Sequence, residues 1–245
     1  MNVLEVRGVS VRFGGLTAVD NVSLSIPEGI VAGVIGPNGA GKTTLFNVVA
    51  GIQRPNAGQV FLDGKDITRL PAHRRARRGL GRTFQRLEIF GTLSVRENLL
   101  VAAEARRGRA SSGRPGPVVD QLLEELHLVE VADQLADTLP TGTQRLVELG
   151  RALALKRRLL LLDEASSGLS VYETEQVGHR LKGLAADGLT VVLVEHDMPF
   201  VLGTCGRMHR LGPQWSAVPE AHGLRVRGAD PGLHDARHPA RRHRG

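Results

Sequence analysis

The chain has 245 residues, 41% of them hydrophobic, a formal net charge of +7 and a single cysteine, Cys205. That length is enough for a domain with a substantial core. No run reaches the roughly 18 consecutive apolar residues of a membrane span, and one cysteine excludes an internal disulfide or a cysteine-rich metal centre. Residues 212–245 carry +3 of the +7, and the +4 left on the body does not call for nucleic acid as a partner.

Residues 1–7 alternate apolar and polar and include Glu5, which predicts a strand and not a secretion signal. With the lone cysteine, this points to a cytosolic setting. Val22, Leu24 and Ile26 alternate with Ser23 and Ser25, as in a half-buried strand, so residues 1–35 are expected to be β-rich. Residues 30–35 form a short apolar run after Glu28-Gly29, the pattern of a buried parallel strand.

Directly after that run comes Gly36-Pro37-Asn38-Gly39-Ala40-Gly41-Lys42-Thr43-Thr44, and then an apolar helix pattern that stops at Gly51. The run fits G-x-x-x-x-G-K-[ST] in its required context of strand, loop and helix. Glycines let successive backbone N–H groups face one concavity, and the helix N-terminus adds partial positive charge, so the loop suits phosphate. Lys42 can reach the terminal phosphates of a bound nucleotide, and the Thr43 hydroxyl can ligate Mg²⁺.

Further along, residues 60–62 predict a short strand before Asp63-Gly64, and Pro71 opens a helix through Arg78. In that helix, residues 73–78 (HRRARR) form a basic cluster without interleaved aromatics, which reads as a solvated face or a contact with lipid head groups. Residues 82–85 are expected to be extended. Ser94 is predicted to N-cap a helix to about residue 107, with Glu97 completing a capping box. Residues 108–117 (GRASSGRPGP) read as a linker, followed by helices over 118–127 and 144–157. Between about 87 and 150 no clear strand is predicted, so the block reads as a helical insertion.

Residues 159–162 are four leucines ending in Asp163 and Glu164, a buried strand with two acids at its carboxyl end. In open parallel sheets that edge is where ligands bind. Asp163 can hold Mg²⁺, and Glu164 can polarise water for in-line attack on a terminal phosphate. A helix over 171–186 and a strand over 190–195 follow. His196 then reaches the same sheet edge as a candidate phosphate contact, and Gln85 is a weaker candidate for the metal or the attacking water. Met198 and Phe200 read as core residues. Strands alternating with helices predict an α/β fold with a mostly parallel sheet.

Taken in order, these segments resemble an ATP-binding cassette ATPase, the nucleotide-binding subunit of ABC transporters. The resemblance spans about 4–210. Its markers are Phe13, the loop 36–43, Thr83-Phe84-Gln85, Leu139-Pro140-Thr141-Gly142-Thr143, residues 159–164, Ser167-Gly168-Leu169-Ser170 and Glu195-His196-Asp197. The stretches FGGLTAVDNVSLSI, GRTFQRLEIFGTLSVRENLL and VEHDMPFV look most like the ATPases of branched-chain amino acid importers.

The resemblance implies a P-loop NTPase core with an N-terminal antiparallel β subdomain, the whole spanning residues 1–211. It implies that Phe13 stacks on adenine and that residues 36–44 hold the phosphates of ATP. Thr43, Gln85 and Asp163 would serve Mg²⁺, Glu164 and His196 would serve hydrolysis with Gln85, and Gly142 would meet the nucleotide of a second ATPase subunit. It further implies two permease subunits, an external solute-binding protein and a place at the cytoplasmic face of the membrane.

The chain departs from the family pattern at several points. Pro140 stands where the signature Leu-Ser-Gly-Gly-Gln has its serine, leaving Thr141 or Thr143 as substitute donors. Ala165 stands where proline follows the acidic pair, and Ser170 where an aspartate is usual. These changes leave open a degenerate cassette that binds ATP and regulates a competent partner. A soluble ABC ATPase is a further alternative, although neither a second cassette nor a coiled-coil insert is present. Residues 212–245, dense in Gly, Pro, Arg and His, are expected to be mostly disordered, as a divergent tail or the product of a shifted reading frame.

Overall fold

The computed structural model describes residues 1–83, 87–107, 115–155, 158–211 and 216–218. The first strands, β1 (Asn2–Phe13) and β2 (Leu16–Pro27), pair antiparallel. With β4 (Ala57–Leu62) and β5 (Lys65–Asp66) they form a four-stranded sheet in the order β2-β1-β4-β5.

The second sheet is built from β3 (Val31–Ile35), β6 (Leu80–Arg82), β7 (Leu159–Asp163), β8 (Thr190–Val194), β9 (Arg207–Arg210) and β10 (Ser216–Val218). Its order is β10-β9-β3-β8-β7-β6, with every neighbouring pair parallel except β10 and β9.

Both faces of the parallel sheet are covered, which explains its unbroken apolar runs. Alternation along a strand sends side chains to opposite faces. Leu159, Leu161, Val192 and Val194 pack with the antiparallel sheet and helix α1 (Lys42–Ala50). Leu160, Leu162, Val191 and Leu193 pack into a second core with the remaining long helices. These include α3 (Val95–Arg107), α4 (Gly116–Glu125), α5 (Thr141–Ala154) and α6 (Val171–Ala186). Two short helices, α2 (Ala72–Arg77) and α7 (Met198–Thr204), complete the set. The regular elements among the described residues between β6 and β7 are all helical, two of them single 3₁₀ turns, apart from an isolated bridge joining Ser94 to Leu135.

The structure corrects several expectations. Helix α5 begins at Thr141, three residues before the predicted Gln144, because Pro140 takes the N-cap with φ −56° and ψ 149°. Helix α4 begins at Gly116, inside the expected linker, with Pro117 in the first turn, where its missing N–H costs nothing. Arg75 is not part of a solvated face but is 1% exposed. Met198 is 41% exposed, whereas Phe200 is buried as expected. Within the tail, Ser216–Val218 forms a strand paired to β9, and the expectation of disorder for 212–215 and 219–245 falls outside the described residues. Gln85 and most of the 108–117 stretch lie outside the described residues.

Candidate functional site

The glycine loop leaves β3 at Ile35 and enters α1 at Lys42. It folds back through an Ala40 N–H to Pro37 carbonyl bond of 3.2 Å. Gly41 sits at φ 84°, and a Cβ there would collide with the Ala18 carbonyl of β2. Only glycine satisfies both demands. Pro37, Asn38 and Gly39 form an exposed crest, Ala40 and Thr44 are half-buried, and Thr43 is exposed in the first turn of α1.

Lys42 is buried, and its ammonium donates to the carbonyls of Gly36 at 2.6 Å and Pro37 at 2.9 Å. Burial lowers its pKa, with Glu164 and Asp163 opposing that shift. The two acids therefore act electrostatically on the loop lysine.

Register explains why. Val34 of β3 and Asp163 of β7 both pair with Val194 of β8, so three strands end at one level and deliver their following residues to one edge. Asp163 is buried there. Its Oδ2 lies 3.3 Å from an Arg82 guanidinium nitrogen, and the other terminal nitrogen of Arg82 donates to Asn47 Oδ1 of α1 at 2.6 Å. Burial raises the Asp163 pKa, and Arg82 works against that rise. Arg82 thus ties the helix behind the glycine loop to the acid-bearing strand.

Glu164 follows in a left-handed conformation, φ 53°, which non-glycine residues seldom adopt. Its N–H donates to the Val194 carbonyl at 2.9 Å, and its Oε1 lies 3.6 Å from His196 Nε2. Both side chains keep partial access to solvent.

The structure does not bring Gly142 to this cluster. Its nearest neighbours are Glu173 and Leu169, with a Cβ there placed 3.0 Å from Glu173 Oε1. Phe13, at the tip of the β1–β2 hairpin, is 50% exposed, and β2 reaches the loop through Ala18. Arg82, Asn47, Ser166 and Glu195 belong to the site's framework; of these the sequence marks only Glu195, as part of Glu195-His196-Asp197, and assigns it no role. The available signal was a charged residue ending an apolar strand, as at Arg82 and Glu195.

A cup of backbone amides with a lysine, beside two acids and a histidine, can bind a polyphosphate and activate water against it. The family description "ABC transporter" matches residues 19–167.

The chain belongs to the ABC transporter family.

The cassette is 40% identical over 214 residues to the high-affinity branched-chain amino acid transport ATP-binding protein BraF of Pseudomonas aeruginosa, covering 82% of the chain and 84% of that protein. It is 37% identical over 221 residues to LivG of Salmonella typhimurium, named for the same transport, covering 84% and 87%. It is also 34% identical over 212 residues to the lipopolysaccharide export system ATP-binding protein LptB of Haemophilus influenzae, covering 86% and 88%. Among solved structures it resembles MJ1267, an ATP-binding cassette of an ABC transporter, with TM-score 0.81, 28% identity and coverage of 91% and 93%. It also resembles the dimeric post-hydrolysis form of the cassette MJ0796 bound to ADP and Pi, with TM-score 0.77, 25% identity and coverage of 87% and 98%. The cassette is an ATP-binding, ATP-hydrolysing subunit of a transporter. Among its described residues no helix is long and apolar enough to cross a membrane.

Proposed function

We propose that the cassette powers import of a branched-chain amino acid, working as one of two ATPase subunits at the cytoplasmic face of the membrane. Its partners would be two permease subunits and an external solute-binding protein. The observation that carries the solute assignment is the 40% identity to BraF. The 34% identity to LptB supports a second reading, in which the cassette drives lipid export.

The site assignments follow the chemistry of each group. Backbone N–H groups of residues 36–44, Pro37 excepted, would cradle the phosphates of ATP, Phe13 would stack on adenine, and Lys42 would exchange its bonds to Gly36 and Pro37 for bonds to the terminal phosphates. Among the described residues no three His, Cys, Asp or Glu side chains converge as a protein-only metal site. One buried carboxylate, Asp163, with a hydroxyl from Thr43, would suit Mg²⁺, which takes few protein ligands and otherwise uses phosphates and water. Gln85 would add to that set. When bound, the ion would neutralise charge on the phosphates. Glu164 would accept the proton of the attacking water, with His196 aligning it and contacting the terminal phosphate. Gly142 and the α5 N-terminus would face the nucleotide of the partner subunit.

Steady-state ATPase assays test the assignments and the non-catalytic alternative together. Glu164→Gln is expected to keep ATP binding and lose nearly all turnover, and Lys42→Ala to lose ATP binding. Turnover in Glu164→Gln would reject Glu164 as the base. An inactive parent chain, alone and with a competent partner cassette, would favour the regulatory reading. Uptake of labelled leucine into vesicles holding the cassette and its permeases, supplied with the solute-binding protein, tests the solute; no leucine uptake with retained ATPase activity would turn attention to export.

A further inference from the structure

Glu195 follows β8 directly and its side chain is 4% exposed. A carboxylate withdrawn from water needs donors to offset the loss of hydration. It has three. Oε1 accepts the Ser166 N–H at 2.8 Å, and Oε2 accepts the Ser166 hydroxyl at 2.9 Å and the His196 N–H at 3.3 Å. Burial still raises its pKa, with these bonds opposing the rise.

Its position gives the carboxylate a consequence. Ser166 is two residues beyond Glu164, and His196 is the next residue after Glu195. One side chain therefore joins the turn carrying the proposed base to the strand end carrying the histidine 3.6 Å from it. Glu164 is itself held at an unfavourable φ of 53°, so its turn needs anchoring on both sides. Upstream, the Glu164 N–H is fastened to Val194, and downstream the fastening is Ser166 on Glu195. Within the turn the Ser167 N–H to Glu164 carbonyl bond, 3.1 Å, closes the loop, and Ala165 contributes no ring to stiffen it.

We propose that Glu195 is a positioning residue for ATP hydrolysis, acting through the Ser166 and His196 backbone to set the Glu164–His196 geometry. The proposal rests on the assignment of Glu164 as base. It predicts an effect mainly on the chemical step, since none of these bonds involves the glycine loop, which would carry most of the phosphate contacts, and His196 would add only one.

The test compares Glu195→Ala, Glu195→Gln and Ser166→Ala with Glu164→Gln, measuring kcat, KM for Mg-ATP, ATP binding at equilibrium and thermal melting. Misplacement of a catalytic group by an ångström is costly, so Glu195→Ala should lose about tenfold or more in kcat with KM and ATP affinity within about twofold. Ser166→Ala, which removes one donor of three, should lose roughly threefold in kcat without a matching loss in affinity. Glu195→Gln keeps an acceptor for the Ser166 N–H and should recover most of the activity lost in Glu195→Ala. Wild-type kcat in Ser166→Ala, or a loss in Glu195→Ala that appears as weakened ATP binding, would overturn the proposal. If Glu195→Ala does not fold, Ser166→Ala and Glu195→Gln decide. Turnover in Glu164→Gln would reject the base assignment; an inactive Glu164→Gln beside fully active Glu195→Ala and Ser166→Ala would reject only the role given to Glu195.

Discussion

Arg75 illustrates how much one side chain can hold. Its guanidinium donates to the carbonyls of Val48 and Val49 near the end of α1 and to those of Thr68 and Leu70 in the segment before α2, at 2.7–2.8 Å. A cation at a helix C-terminus also complements the helix dipole. Removing it leaves buried carbonyls unpaired, so Arg75→Ala is expected to cost on the order of 3 kcal/mol of stability, measured by urea unfolding. Gly51 is matched to it, since a Cβ there would lie 2.6 Å from the Arg75 Nε. Cys205 shows burial acting on reactivity: desolvation pushes its thiol up to about 12. Because the thiolate is the reactive form, the native protein should resist thiol labelling at pH 8, and labelling should track unfolding when denaturant is added.

Helix starts decide much at the next scale. Ser94 and Glu97 form the predicted capping box, with bonds of 2.7 and 3.2 Å, and Ser170 and Glu173 form another at the start of α6. Ser170→Ala should cost about 1 kcal/mol, readable as a fall in melting temperature. Helix α5 has Pro140 at its N-cap and no side-chain cap bond. Pro140→Ser would add a cap of about 1 kcal/mol but give back a similar amount through a less restricted unfolded chain. Melting should therefore barely move. Hydrolysis should rise, by up to about a hundredfold if the hydroxyl becomes an aligned donor to the partner's phosphate. Unchanged hydrolysis would mean that Thr141 or Thr143 already supplies that donor.

For the whole molecule, the decisive fact is the separation of parts. The glycine loop, Asp163, Glu164 and His196 share one sheet edge, whereas the α5 N-terminus packs on Leu169 and Glu173. If Gly142 and the α5 N-terminus have the role proposed for them, a second copy or a paired cassette would complete the site. Glu164→Gln with Mg-ATP is accordingly expected to shift from monomer to dimer in light scattering. Adding Lys42→Ala should abolish the shift, because ATP no longer binds.

The linear chain by itself determined the elements whose signal is local. The apolar runs that became β3, β7 and β8 were legible because both faces of the parallel sheet are buried, and α3 was legible at its start because the Ser94–Glu97 capping box is written in consecutive residues. The glycine loop was legible because phosphate binding demands glycines and a lysine within a few consecutive residues. Tertiary structure alone decided the contacts between distant positions: Arg82 with Asp163 is separated by 81 residues, and Ser166 with Glu195 by 29. Periodicity reports which face of an element is buried and carries no information about which polar group meets another across the fold. The early start of α5 escaped for a related reason, since an N-cap proline is recognised by its backbone angles. The brace behind Asp163, the anchor behind Glu164 and the buried place of Arg75 in a run of arginines all came from packing, where a polar side chain taken from water must find its partners wherever the fold puts them.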